Sequence, residues 1–414
     1  MRIMVTAASF SAEISGIQRH AFNMVRCLLR RPEITKVDLV IAPWQEQLVR
    51  SVGITRDQRL TTHIADMNES SFSRNRWYYR VLPELTHRLQ PDLVHLSYPV
   101  PVNAGSFPCP VVLTLHDLYP YEIPGNFRFP QVIFNRYILH QCLRSVDAIA
   151  CVSGATMSRM RQYAPPSTWE KAIRIHNCVE PDTQSAIRPS IEGLDGQPFL
   201  LSVAQHRRNK NIPLLVRVFN RLLRESKIDP RMKLLVVGIS GPETNRIRQL
   251  ISELGLDRSV LLLHGLSDPE LQWCYAQCEA MVAPSKTEGF GLPVAEALLL
   301  GCRVVCSDIA AFHEVGGAHC RFVTLGKGEE ESLASAIYTI LKEPKREPIT
   351  LPHLSVEFLA SEYLRLYRRL IPAESAAVET RHMSSAFAEM PDRQVFEATE
   401  PSCVASTRDA HGRI

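Results

Sequence analysis

The chain has 414 residues, 45% hydrophobic and 22% charged, which excludes a single small module, a collagen-like or coiled-coil rod and a wholly disordered chain. Forty-seven Lys and Arg against 43 Asp and Glu leave +4, too mild a charge for a nucleic-acid-binding protein, and no apolar run approaches the roughly 18 residues of a spanning helix. The first apolar run, Arg2 to Thr6, is too short for a secretory leader and eleven scattered cysteines suit a reducing compartment, so the expected location is the cytosol.

In chain order, short β-branched apolar runs alternate with amphipathic stretches. Strands are predicted at 2–6, 37–42, 92–96, 110–115 and 147–152, with helices near 17–30, 74–89, 130–145 and 154–163, an α/β pattern with a mainly parallel sheet. After the strand-like Ala172 to His176, prolines at 181, 189 and 198 and glycines at 193 and 196 mark a linker over 181–197. A second series follows, with strands at 199–204, 232–238, 260–263, 280–283 and 303–307 and helices near 211–225, 243–254, 268–276, 293–300 and 331–342. Leu359, Tyr363, Leu366 and Leu370 then recur at helical spacing. Residues 373–414 hold seven acidic and four basic side chains without periodicity and read as a disordered tail, leaving +7 on the rest. The expected organisation is two doubly wound Rossmann-like domains, 1–180 and 198–352, facing across a cleft, with a helix at 353–372 packing back toward the first. In such sheets ligands bind beyond the carboxyl ends of the strands.

The most informative segment runs from Ser285 to Ala297, between an apolar strand and a helix with Pro293 in its first turn. Gly289 and Gly291 let the backbone approach a ligand, and the free amides of a helix start favour a phosphate. Glu288 in the loop and Glu296 in the helix are poor phosphate ligands but good acceptors for sugar hydroxyls. Solvated carboxylates are the plain alternative, which the apolar neighbours of Glu296 oppose. Gly289-x-Gly291 is not a dinucleotide fingerprint, because Val294 stands at the third glycine.

A basic loop, Gln205 to Asn211, offers Arg207, Arg208 and Lys210 to a diphosphate. In the first series, the strand 111–115 ends in His116 and Asp117. No Asp-x-Asp occurs, so no metal is expected, and Cys274/Cys278 and Cys302/Cys306 lack the usual zinc spacing. Arg74-Asn75-Arg76-Trp77-Tyr78-Tyr79-Arg80 interleaves bases and aromatics and reads either as an acceptor patch near a membrane surface or as an amphipathic helix.

Glu288 to Glu296 resembles the Glu-x7-Glu motif of retaining glycosyltransferases of family 4, which have the GT-B fold. Gly265 to Leu271, Ala283-Pro284-Ser285, Val304 to Asp308 and Glu314-Val315 resemble that family too, most strongly over 199–325 and more loosely over 1–180. The resemblance implies that Glu288 contacts donor-sugar hydroxyls, Glu296 the nucleotide ribose, and the amides of Phe290, Gly291 and Leu292 the sugar and diphosphate. Lys210 matches the family lysine, and His116 the histidine that reaches the donor sugar. Gly16 matches the second glycine of the family's Gly-Gly loop. Ser15 replaces the first glycine of that loop, Gln205 the family arginine, and Cys178 and Glu180 depart from a Pro-Asn-Gly-Val-Asp segment that Asn177 and Val179 match.

The implied activity is retaining transfer of a hexosyl unit from a nucleotide-sugar to a glycan or lipid-linked acceptor in bacterial surface polysaccharide synthesis. It implies no resident cofactor, peripheral contact with the inner face of the cytoplasmic membrane, and no nucleic acid. The competing readings are a catalytically silent sugar-nucleotide-binding scaffold and an epimerase or phosphorylase of the same fold.

Overall fold

A computed structural model describes residues 1–371 except 10–14, 52–53, 55–56, 128, 181–185 and 195. The tail expected at 373–414 and the first part of the expected linker, 181–185, lie outside the described residues.

The first sheet holds seven parallel strands: β1 (Arg2–Thr6), β2 (Lys36–Ile41), β3 (Leu60–Ile64), β4 (Leu93–Leu96), β5 (Val111–Leu115), β6 (Ala148–Cys151) and β7 (Ala172–Arg174). They lie in the order β3-β2-β1-β4-β5-β6-β7. The second holds six: β8 (Phe199–Val203), β9 (Lys233–Val237), β10 (Val260–Leu263), β11 (Ala280–Ala283), β12 (Val304–Ser307) and β13 (Cys320–Val323), in the order β10-β9-β8-β11-β12-β13, again all parallel. Central strands such as β5 and β11 are buried throughout, as a sheet covered on both faces requires. These are two Rossmann-like α/β units of the GT-B arrangement, within one compact body formed by residues 1–371.

The elements that periodicity missed are mainly at the edges. β3 reads Leu-Thr-Thr-His-Ile and β13 Cys-Arg-Phe-Val; both are only partly buried and lack the continuous apolar run of a central strand. The helix predicted at 74–89 runs without interruption from Ser71 to Leu89 and carries a π turn at Trp77–Val81. Pro83 carries no N–H for the helical ladder, and the π turn absorbs the missing bond.

The helix Val356–Leu370 starts from Ser355, whose hydroxyl caps the amide of Phe358, and buries Leu359, Tyr363 and Tyr367 against Phe22, Met24 and Leu28 of the helix Gly16–Leu29. This helix from the end of the described chain therefore completes the core of the first unit. Among the described residues no helix is long and apolar enough to cross a membrane.

Tyr363 is 1% exposed, so Tyr363→Ala removes a whole ring from this core. The expected loss is about 3–5 kcal/mol. Urea unfolding reads it directly, and a loss below about 1 kcal/mol would mean that the helix contributes little to the unit.

Candidate functional site

Strand order reverses between β1 and β4 in the first sheet and between β8 and β11 in the second, so a crevice opens at each place beyond the strand ends. The loops after β8 and β11 carry residues 204–211 and 284–291. Facing them are His116 and Asp117 after β5 and the helix Gly16–Leu29 that follows β1.

Glu288 is buried and held from three sides. Lys210 Nζ donates to its Oε1 at 2.6 Å and Ser285 Oγ to the same oxygen at 2.7 Å, while the Tyr119 hydroxyl of the first unit stands 3.5 Å from Oε2. Asn209 Nδ2 donates to that hydroxyl at 3.2 Å. One carboxylate thus gathers an ammonium and two hydroxyls around it, with both of its oxygens in use as acceptors.

The backbone beyond Glu288 is pressed against the first unit. The Glu288 carbonyl accepts from Arg159 Nη1 at 2.8 Å, and the Gly289 carbonyl from Ser153 Oγ at 2.5 Å and Thr156 Oγ1 at 3.0 Å. A Cβ on Gly289 would lie 1.8 Å from the His116 carbonyl oxygen, so only glycine fits. Gly291 has φ +107° and caps the helix Leu292–Leu299, with the Phe312 ring 2.8 Å from where its Cβ would be. Among the described residues no protein acceptor meets the amides of Phe290, Gly291 and Leu292, which stand free at the helix start. The Phe290 ring is buried, 5.7 Å from that of His176.

Glu296 lies one helical turn further. Tyr275 donates its hydroxyl to Oε2 at 2.8 Å, and Arg19 from the first unit points Nη1 at Oε1 from 3.7 Å while Nη2 donates to Asp268 Oδ1 at 2.6 Å. Burial pushes the Glu296 carboxyl up, against the pull of Arg19 and the Tyr275 hydroxyl.

The basic loop does not act as one cradle. Lys210 reaches Glu288, and Arg207 is close enough to Asp117 to oppose the rise that burial gives its carboxyl. Arg208, expected at the diphosphate, instead donates Nε to Glu243 at 3.3 Å and stands over Gly125. With Arg217, Arg246 and Lys286 it lines a separate open cavity of 360 Å³. A buried carboxylate outside the crevice has taken this exposed cation.

Among the described residues nothing lies within 4 Å of a Cβ placed on Gly16, and Ser15 caps its helix by exchanging bonds with Gln18, a role the family's glycine has no side chain to fill. Cys178 is a buried core residue whose carbonyl accepts from Asn23. Trp77 and Tyr78 are buried in the core with Tyr78 bonded to the Ala8 carbonyl, so the aromatic and basic residues at 74–80 do not form one surface patch. Cys278 Sγ lies 3.9 Å from Cys302 Sγ, and both thiols bond to the Tyr275 carbonyl. Among the described residues no group of three or more His, Cys, Asp or Glu is placed to hold a metal.

His116 Nε2 donates to the Ser97 carbonyl at 2.9 Å, and its ring meets His20 edge to face at 4.7 Å. His20 Nε2 lies 3.1 Å from Thr114 Oγ1, which lies 2.8 Å from His95 Nε2, and His95 Nδ1 is 2.6 Å from the Tyr367 hydroxyl. Burial lowers the His116 ring to about 4 and His95 to about 3, and with the neighbouring rings holds His20 well below the ordinary imidazole value.

Sequence periodicity had no means of finding Arg19, Tyr119, Ser153, Thr156 or Glu314. Glu314 accepts from the amides of Gly154 and Ala155 at 2.8 and 2.7 Å, anchoring the start of a first-unit helix to the second unit.

Two outcomes follow from this geometry. Gly289→Ala is expected to cost about 1–3 kcal/mol through the clash with His116, whereas Gly16→Ala, with open space around it, should stay within ~0.5 kcal/mol; equal effects in urea unfolding would contradict the close approach. The neutral rings contribute fully above the unfolded imidazole value of about 6.5, and their contribution is lost as pH falls toward the folded values, at up to ~1.4 kcal/mol per pH unit for each ring. Asp117, raised by burial to about 6, works in the opposite sense between about pH 4 and 6. Stability at pH 5 should therefore be ~2 kcal/mol or more below that at pH 7, and equal values would show that the rings are not held neutral.

Known proteins fit this architecture. Residues 184–349 match the family model for glycosyl transferases group 1, and residues 14–183 that for glycosyltransferase family 4. The serotype-specific mannosyltransferase WbdA of Escherichia coli is 28% identical over 252 residues, 55% of this chain and 30% of WbdA. The O-antigen chain mannosyltransferase RfbU of Salmonella typhimurium is 27% identical over 234 residues, 56% of this chain and 61% of RfbU. The chain thus spans less than two thirds of either relative. Among solved structures, Anabaena HepE in complex with UDP and glucose superposes with a TM-score of 0.60 at 17% identity, over 93% of this chain and 100% of that one, which shows the fold. With both halves matched and the two-sheet architecture shared, the chain belongs to the GT-B glycosyltransferases of the group 1 and family 4 type.

Proposed function

We propose that the protein transfers a hexosyl unit from a nucleoside-diphosphate sugar to a hydroxyl of a glycan or lipid-linked acceptor, with retention, in bacterial surface polysaccharide synthesis. The observation that carries this reading is the buried Glu288 at the meeting of the two units, hydrogen-bonded to Lys210 and followed by three free amides at a helix start. Glu288 supplies the acceptor that sugar hydroxyls need, the amides and Lys210 supply donors for a diphosphate, and Glu296 takes the ribose.

In the proposed step the acceptor oxygen attacks the anomeric carbon on the face from which the diphosphate leaves. The bond from that carbon to the diphosphate oxygen breaks, and the departing oxygen takes the acceptor's proton. Lys210, Arg207 and the loop amides stabilise the charge that develops on the leaving group. His116 is neutral at working pH, so its ring orients the sugar without adding a positive charge. The family resemblance supports retention, and the mannosyltransferase relatives make mannose the first donor sugar to examine.

Purified protein with a panel of UDP-, GDP- and dTDP-sugars and lipid-linked acceptors tests the reading. Glu288→Ala is expected to lower kcat/KM by about 10³-fold or more, with a circular dichroism spectrum like that of the parent. Activity retained within a few-fold would remove Glu288 from the donor site. Donor binding with neither transfer nor hydrolysis would place the chain among silent scaffolds.

A further inference from the structure

We propose that the open cavity beside the basic loop is a second anion site, apart from the donor crevice, which binds a phosphate group carried by a ligand other than the sugar donor. The inference stands independently of the donor reading, because Lys210, Ser285 and Glu288 line a different pocket.

The cavity, about 360 Å³, sets Arg208, Arg217, Arg246 and Lys286 against two carboxylates, Glu243 and Glu329. Its volume falls within the range of small-molecule sites, about 300–1,000 Å³. The excess of two positive charges matches a phosphate monoester, which carries about −1.5 to −2 near neutral pH. The four cations come from four separate places: the loop after β8, the helix Ile212–Arg224, the helix Thr244–Glu253 and the loop after β11. Their convergence is therefore a product of the fold and not of a run in the sequence.

Three of the four are held in place through the basic loop. Glu243 is 6% exposed and accepts from Arg208 Nε on Oε1 and from Arg246 Nη1 on Oε2, each at 3.3 Å. One buried carboxylate thus keeps two like-charged guanidinium groups side by side. The Glu243 amide donates to the His206 carbonyl at 3.0 Å, and the Lys286 amide to the Asn209 carbonyl at 2.7 Å. The Arg208 amide donates to Asn126 Oδ1 of the first unit at 3.2 Å, which fixes the loop from the other side.

Donors remain in excess at this place. Among the described residues no acceptor meets the Lys286 ammonium or the remaining nitrogens of Arg208 and Arg246. Asn211 lines the same cavity, is 8% exposed, and its buried Nδ2 likewise lacks an acceptor among the described residues. It begins the helix Ile212–Arg224 without a side-chain cap, so the positive end of that helix adds to the same field. A tetrahedral phosphate offers acceptor oxygens in several directions at once, as donors from four elements require, whereas a carboxylate offers two in one plane.

Titration calorimetry of inorganic phosphate against the full chain, at an ionic strength fixed with sodium chloride, tests the proposal. The double variant Arg246→Gln with Lys286→Gln is expected to weaken phosphate binding by about 10-fold or more, the worth of a charged hydrogen bond. Lys210→Met, in the crevice, should change it less than about twofold, and so should Arg231→Gln with Arg258→Gln, which removes the same charge at the amino ends of β9 and β10. Absence of phosphate binding by the parent overturns the proposal. Equal weakening by the two double variants does so as well, since the effect is then that of diffuse charge. Loss in Lys210→Met alone would place the anion in the crevice and also overturn it. If the first double variant does not fold, by circular dichroism, Lys286→Gln replaces it with an expected weakening of about 3-fold. Sedimentation with phosphatidylcholine vesicles, with and without phosphatidic acid, then identifies the carrier. Retention on the acidic vesicles that is lost in Arg246→Gln with Lys286→Gln assigns a lipid phosphate, and phosphate binding without such retention assigns a soluble phosphate ester.

Discussion

The two units meet backbone to backbone where Gly289 passes under the His116 carbonyl. No side chain fits between them, since even a methyl carbon would lie 1.8 Å from that oxygen. Because the loop after β11 is seated there, Ser153 and Thr156 can both donate to the Gly289 carbonyl and Arg159 to that of Glu288. Glu288 is consequently fixed between the loops of both sheets, and the helix start at Leu292 is aimed into the crevice. The hydrogen that Gly289 carries in place of a side chain permits the approach within which the contacts between the two units form.

Within that spacing the buried charges are satisfied by one another. Glu288 is neutralised by Lys210, and Glu296 by Arg19, because a carboxylate left alone out of water would cost several kcal/mol. A hydroxyl entering the crevice therefore exchanges one set of partners for another and brings no new charge to be buried. Such an exchange favours ligands that both donate and accept, as sugar hydroxyls do, over simple anions. Lys210 and the free amides are the complementary half, a group of donors at the start of a helix.

Much of the fold was legible because parallel strands covered on both faces are written as continuous apolar runs. Glu288, Gly289, Gly291 and Glu296 were legible because a glycine-rich turn between strand and helix has a specific chemical use. What escaped was non-local or edge-on. Arg19 meets Asp268 across 249 residues and Tyr119 meets Glu288 across 169, and no spacing rule encodes such distances. Arg208 carried the right charge for a diphosphate, yet Glu243 lies nearer than the crevice and takes it. Trp77 and Tyr78 face inward because the π turn before Pro83 rotates the helix, a shift that a regular helical period hides. β3 and β13, half covered at the sheet edges, lack the signal that revealed their neighbours.

The row from His20 through Thr114 and His95 to Tyr367 has a polarity. Thr114 carries one hydroxyl proton and has two imidazole nitrogens beside it, so at least one of the two rings must donate to it. If His95 donates from Nε2, its Nδ1 is bare and Tyr367 must donate; if Thr114 donates to His95, then His20 must donate to Thr114. The tautomer of each ring is thus not an independent choice. His20 follows Arg19 on the same helix, and Tyr367 stands near the end of the helix Val356–Leu370. The proton order at the rim of the crevice and that inside the packing of the helix Val356–Leu370 are coupled, although the two parts of the chain are separated by more than three hundred residues.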